Sequence, residues 1–315
     1  MVMIVDSHVH ILNFPSLDDL GDKIRTMEDG IAFRTKYPEL YYAVQRETPS
    51  DNTDALIATM DRYGVAHALV QARPGKITND QVAAAAHRHP TRLSPLVRVG
   101  TEQVAFGYAE DPTPLREQAP AIIADGIERL GMKGMGETLP RTITNEIHPE
   151  RIARDFAPIM RTLAKYQVPI QIPTGWSQFV GGLYYGDPLW VDEVAGQNPD
   201  VPVILTKMGR SIQHLFDNAM MVALRNANVY FDIVGTSPAH LRHALDKLGS
   251  ERILFGTDWS ATWRWMTKPA DIYTQRLGTV QAAELTETER ENVLWRNAAR
   301  LFKLDVESLV EPATA

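Results

Sequence analysis

The sequence predicts a closed (β/α)8 TIM barrel, and three observations lead there. Eight short apolar or β-branched runs recur along the chain, a segment of helical spacing follows each, and 315 residues suit one barrel of roughly 250 residues plus insertions. Continuous apolar strands are buried on both faces, as parallel strands beneath helices are, and eight βα units allow the sheet to close. A doubly wound open sheet is the alternative. No glycine-rich phosphate fingerprint follows the first run, which counts against it.

In chain order the runs are 3–10, 65–73, 93–99, 132–137, 170–174, 203–208, 229–234 and 253–258, each ending in polar or glycine-rich sequence. Residues 50–53 offer caps for a helix with Leu56, Ile57, Met60 and Tyr63 on one face, and Gly64 stops it. Amphipathic spacing also predicts helices over 149–166, 212–226, 238–248 and 287–302, the last with Thr286 as N-cap. Two segments are longer than a connection needs, 12–50 after the first run and 259–285 after the eighth. Loops of this size carry function or cover a site, and both belong on the C-terminal rim where barrel enzymes keep their chemistry. The domain reading is a single unit over 1–315, with 12–50 as a rim insertion and 307–315 as a flexible tail.

Composition narrows the function classes. With 44% hydrophobic and 23% charged residues the chain reads as an ordinary water-soluble domain, and no apolar run approaches the ~20 residues that cross a bilayer. The apolar start meets Asp6 and His8 before a signal sequence could be completed, so a cytoplasmic location is expected. A net charge of -7 without a Lys/Arg block argues against nucleic acid and anionic membrane as partners and leaves a small molecule. Zero cysteines leave only His and carboxylate to hold a metal, a donor set that suits zinc, manganese or iron.

Two motifs carry chemistry. In Asp6-Ser7-His8-Val9-His10 the imidazoles are two residues apart on a strand, so both face one side and can reach one ion at ~2.0 to 2.1 Å. In Ile253-Leu254-Phe255-Gly256-Thr257-Asp258-Trp259 an apolar strand ends in a carboxylate at the same rim, able to bind a cation and to take a proton from water. Chance pairing of histidines and a turn or cap role for Asp258 are the bland readings.

These motifs, with the closing Asn297-Ala298-Ala299-Arg300-Leu301-Phe302, resemble the amidohydrolase superfamily from the first strand to the last helix. The nearest resemblance is to its branch of aromatic-acid decarboxylases and pyrone-dicarboxylate lactonases. The resemblance implies that His8, His10, a strand-five His and Asp258 hold a divalent metal, while a strand-six His assists the substrate. The chain departs twice: Pro173 and Lys207 stand where those two histidines are expected. His8, His10 and Asp258 remain, three ligands being a normal catalytic zinc set, and Glu137 at the end of the fourth run is a fourth candidate or a surface carboxylate.

Two mechanisms follow. In one, zinc (or manganese) held by His8, His10 and Asp258 activates water, Asp258 takes the proton, and Lys207 polarises a carbonyl or binds an anion. In the other no metal is bound, and Lys207 with the histidines, His10 among them, stabilises the oxyanion while Asp258 activates the water. Arg73, Arg98 and Arg210 at the rim could grip a carboxylate, which points to an anionic substrate, while each alone could be a surface charge. Trp176 and Trp259, with Trp263, Trp265, Tyr184 and Tyr185 nearby, could stack a flat ring or bury a subunit contact, and a homo-oligomer is expected. Lys133 on the fourth run reads as structural. The expected activity is hydrolysis of a C–O or C–N bond (lactone, ester or amide) in a small cyclic or aromatic carboxylate. The alternatives are a metal-dependent nonoxidative decarboxylase and a barrel that only binds a ligand.

Overall fold

The computed structural model describes residues 3–12, 26–40, 50–72, 77–100, 109–176, 181–259 and 272–305. Among the described residues seven parallel strands form two sheets: β1 (Val5–Ile11), β2 (His67–Ala72) and β3 (Leu93–Pro95) in one, and β4 (Ile170–Pro173), β5 (Val203–Thr206), β6 (Val229–Asp232) and β7 (Ile253–Leu254) in the other. Strand residues are almost all buried, as the continuous apolar runs require.

Backbone hydrogen bonds join the two sheets at both edges. On one side Ser7 N donates to Phe255 O (2.9 Å), Asp258 N to His8 O (2.8 Å) and His10 N to Trp259 O (2.9 Å), so the segment after β7 lies along β1. On the other side Met135 bridges Val97 and Ile170, with Val97 N donating to Gly134 O, Gly136 N to Val97 O, Met135 N to Pro169 O and Gln171 N to Met135 O. The ring of hydrogen bonds is therefore complete, and the molecule has the expected barrel fold. The expected fourth strand, 132–137, shrinks to that single bridge. Its neighbours explain this: Pro95 and Pro169 have no N–H to give, and Gly134 and Gly136 allow close approach, since a Cβ on Gly134 would lie 2.8 Å from Pro169 O. The third and eighth runs are likewise shortened, to 93–95 and 253–254.

The helices follow the predicted spacing. Pro149–Tyr166 buries Ile152, Phe156, Ile159, Met160 and Leu163 along one stripe. Thr53–Tyr63 ends at Gly64, left-handed at φ 67°, and Thr286 with Glu289 forms the capping box of Glu287–Glu291. Beyond a π turn over Asn292–Arg296 lies helix Asn297–Leu301. There Ala298, Leu301 and Phe302 pack against Val5, Leu69, Leu96, Ile204 and Leu254, and Asn297 Nδ2 donates to Ser250 O and Ile253 O, both at 2.7 Å. The closing motif thus plugs the N-terminal end of the strands, which leaves the other end for a site. No helix among the described residues is long and apolar enough to cross a membrane. Of the rim insertion only 12, 26–40 and 50 are described, and the expected tail at 307–315, Arg73, Trp263 and Trp265 lie outside the described residues.

Candidate active site

Five side chains predicted from sequence meet at the C-terminal end of the strands: His8 and His10 of β1, Glu137 after the Met135 bridge, Lys207 after β5, and Asp258 beyond β7. All are less than a tenth exposed. A shift of strand register between Asp6 and Val9 sits beside the histidines, and bulges of this kind re-aim side chains at functional rims.

The imidazoles are fixed by their outer nitrogens. His8 Nδ1 donates to Asp232 Oδ2 (2.7 Å) and His10 Nδ1 to Ala72 O (3.3 Å), so in the neutral rings both Nε2 lone pairs point at each other across 3.3 Å. Two facing lone pairs repel unless something positive lies between them. The separation is about that of two nitrogens on one tetrahedral ion at about 2.0 to 2.1 Å. Glu137 Oε2 stands 3.6 Å from His10 Nε2, and Asp258 Oδ1 stands 3.2 Å from His10 Nε2 and 3.7 Å from His8 Nε2. Asp258 Oδ1 is buried and has no hydrogen-bond partner among the described residues. His8, His10 and Glu137 converge closely enough to share one ion. The donor set therefore fits a divalent cation.

Electrostatics keep both carboxylates charged. Burial opposes ionisation of Glu137 and Asp258, yet the Lys207 ammonium beside them holds both carboxyls well below the usual range. Lys207 Nζ touches Glu137 Oε1 and lies 3.5 Å from Asp258 Oδ2, while Thr206 Oγ1 also donates to Glu137 Oε1 (3.2 Å). Glu137 Oε2 is thereby left facing His10, while Oε1 stands 3.8 Å from His8 Nε2. Beneath, Gln71 Oε1 accepts from Glu137 N, Gln71 Nε2 donates to Gln171 Oε1 (3.2 Å) and Gln171 Nε2 to Ser7 O (2.7 Å), a polar floor that ties β1, β2 and β4 together.

The segment after β5 is a left-handed turn, with φ of 72° at Lys207, 41° at Met208, 73° at Gly209, 53° at Arg210 and 59° at Ser211. Non-glycine residues in this region cost on the order of 1 kcal/mol each and persist only where neighbours impose them. Here Asp232 Oδ1 accepts from Lys207 N (2.7 Å), Thr174 Oγ1 accepts from Gly209 N (2.8 Å), and Ser211 Oγ donates to Gly235 O (2.8 Å). The turn presents Arg210, whose Cζ lies 4.6 Å above the Trp176 ring. Asp258 is also left-handed at φ 58°.

The remaining predicted residues spread around this centre. Arg98 is buried and donates to Ala72 O, the carbonyl that also orients His10. Trp259 is buried, and its backbone bridges Val9. Tyr184 and Tyr185 hold a loop instead, their hydroxyls donating to Ile147 O and Glu146 O. Pro173 ends β4 beside Thr206. Sequence reasoning missed Asp232, which holds His8 from behind. Asp232 closes the apolar run Val229-Tyr-Phe-Asp at the rim, and that strand-end carboxylate was the available signal.

The barrel and its rim cluster define an enzyme of the amidohydrolase type. The Amidohydrolase family profile matches residues 5–304, and the chain belongs to that family. Among solved structures it resembles 5-carboxyvanillate decarboxylase from Sphingomonas paucimobilis (TM-score 0.62, 17% identity, covering 97% of this chain and 100% of that one). It also resembles an amidohydrolase from Burkholderia multivorans with bound zinc (TM-score 0.60, 16% identity, 96% and 100% covered). A third likeness is to a probable 2-pyrone-4,6-dicarboxylic acid hydrolase from Acinetobacter baumannii with citric acid bound (TM-score 0.58, 13% identity, 95% and 99% covered). No curated protein matches the sequence. At these identities the structural likeness shows the fold.

Proposed function

We propose that this enzyme is a metal-dependent hydrolase that uses water to cleave a C–O or C–N bond in a small cyclic or aromatic carboxylate. The observation that carries the reading is the pair of Nε2 lone pairs 3.3 Å apart beside Asp258 Oδ1, which has no hydrogen-bond partner among the described residues. His8, His10, Glu137 and Asp258 would hold one divalent ion, zinc first and manganese second, which when bound acidifies water and polarises a carbonyl.

The chain's own groups divide the remaining work. Asp258, ionised and 3.2 Å from His10 Nε2, takes the proton of the attacking water. Lys207 offers its ammonium to the oxygen on which negative charge develops, where a buried donor is worth far more than in water. Asp232 fixes the tautomer of His8, and Ala72 O fixes that of His10. Arg210 against Trp176, with Arg98 and Arg73, supplies positive charge for a substrate carboxylate, and Trp176 and Trp259 supply aromatic wall.

Metal analysis of protein prepared without chelators tests the reading. The wild type is expected to carry one equivalent of metal and the His8→Ala/His10→Ala variant none, with turnover lost in parallel. Wild-type protein free of metal, with activity resistant to chelators, would overturn metal dependence and leave the lysine-centred mechanism. The second reading is a nonoxidative decarboxylase, supported by the likeness to 5-carboxyvanillate decarboxylase. Release of carbon dioxide without uptake of water selects it over hydrolysis.

A further inference from the structure

We propose that Arg276, together with Arg210, forms a carboxylate-binding subsite beside Asp258, taking an anionic group of the substrate. The inference rests on the preceding reading of the site as one for small carboxylates, and it assigns a role to a residue outside the cluster already described.

Arg276 lies on helix Ile272–Ala282 and is only 3% exposed. Its Nη1 donates to Gln275 Oε1 (3.1 Å), while Nε and Nη2 have no hydrogen-bond partner among the described residues. These two nitrogens form one edge of the guanidinium, the edge that meets a carboxylate through two parallel hydrogen bonds. Burying a charge costs several kcal/mol unless it is paired, so a buried edge left open calls for an occupant.

The protein's own carboxylates are engaged elsewhere. Asp258, Asp232 and Asp6 all act on Arg276 through their charge. However, Asp6 accepts from Thr257, Tyr273 Oη and His8 N, and Asp232 accepts from His8, Lys207 N and Val234 N. Asp258 faces His10 and Lys207. Arg210 repeats the pattern, with a buried Nε that has no partner among the described residues. Gly175 leaves it room, since a Cβ there would lie 2.8 Å from Arg210 Cγ. The charge of Arg210 also acts on Arg276. Two like charges gathered at a rim without hydrogen-bonded counter-charges are complementary to an anion. Burial lowers Arg276 only to about 10, so it stays charged at neutral pH.

The test uses the metal-loaded full chain with benzoate, isophthalate and succinate as probes and uncharged isophthalamide as control. At least one carboxylate is expected to raise the thermal midpoint of the wild type, and the amide is not. In Arg276→Met the dissociation constant of that probe should rise roughly 10- to 100-fold, the worth of a charged hydrogen-bond pair, with Arg276→Lys between the two. Metal content should not change, and the ligand-free midpoint should hold or rise because an unpaired buried charge has gone. Failure of all three anions to bind the wild type overturns the subsite, as does equal binding by Arg276→Met. A clear fall in the ligand-free midpoint of Arg276→Met overturns it in favour of a structural ion pair. These outcomes are separate from metal loss in His8→Ala/His10→Ala, which tests the catalytic reading alone.

Discussion

Asp232 divides its carboxylate between two tasks: Oδ2 accepts from His8 Nδ1, and Oδ1 accepts from the backbone of Lys207 and Val234. A buried carboxylate behind a ligating imidazole both fixes the ring and strengthens its donor nitrogen, and removing such partners typically costs 10- to 100-fold in metal affinity. Asp232→Asn keeps an oxygen for the backbone donors but loses the charge. It should bind metal roughly 10- to 100-fold more weakly in competition with a chromophoric chelator, with its fold intact by circular dichroism; unchanged affinity would remove Asp232 from the site. At this scale the sequence was partly legible. His8, His10 and Asp258 declare themselves through spacing and strand-end position, and Glu137 and Lys207 through place alone. Asp232 and Arg276 do not, because a strand-end Asp also reads as a cap and a helical Arg as a solvated charge. Only packing shows one to be wholly buried and the other to have an open edge.

The left-handed turn over 207–211 depends on Gly209. A Cβ there would lie 2.6 Å from Phe216 N and 2.7 Å from Leu215 C, and both are backbone atoms of helix Gln213–Arg225 that cannot move aside cheaply. Gly209→Ala should therefore cost roughly 2 to 4 kcal/mol, through a clash and a φ of 73° that Ala disfavours. Urea unfolding measures this, and a loss under 1 kcal/mol would show that the turn can relax. The helices were legible because apolar spacing and caps act locally. The run over 132–137 read as a strand because its length and boundaries matched the others. Its failure to form a ladder lies in its neighbours, the prolines at 95 and 169, and that is information a local pattern does not contain.

Across the whole molecule, eight apolar runs made the barrel readable, while its closure rests on contacts between residues far apart in sequence. Asp6 shows this: Thr257 and Tyr273 bind it across the β1 edge, and burial pushes its carboxyl up to about 6. His67, at the start of β2, works in the opposite sense. Burial lowers it to about 4, with Nδ1 against Thr91 O (3.0 Å) and Nε2 against Ser94 Oγ (2.9 Å). An unfolded His takes a proton below about 6.5 while the folded one waits until about 4, so stability falls as pH drops through that window. The effect is about 3 kcal/mol, from about 2.5 units at 1.36 kcal/mol each. Stability lost between pH 7 and pH 4 should accordingly be smaller by about that amount in His67→Gln than in the wild type, as measured by urea unfolding across the range. Equal losses would show that His67 titrates normally in the fold.

Because Asp232 joins His8 to the turn that carries Arg210, an ion held by His8 and His10 and an anion held by Arg210 would occupy thermodynamically linked sites. Any adjustment of the turn on anion binding reaches the His8 ring through one carboxylate. Whatever factor the anion adds to metal affinity, the metal must return to anion affinity. A barrel of this kind would fill its two sites in concert, and its response to scarce metal would depend on how much substrate is present.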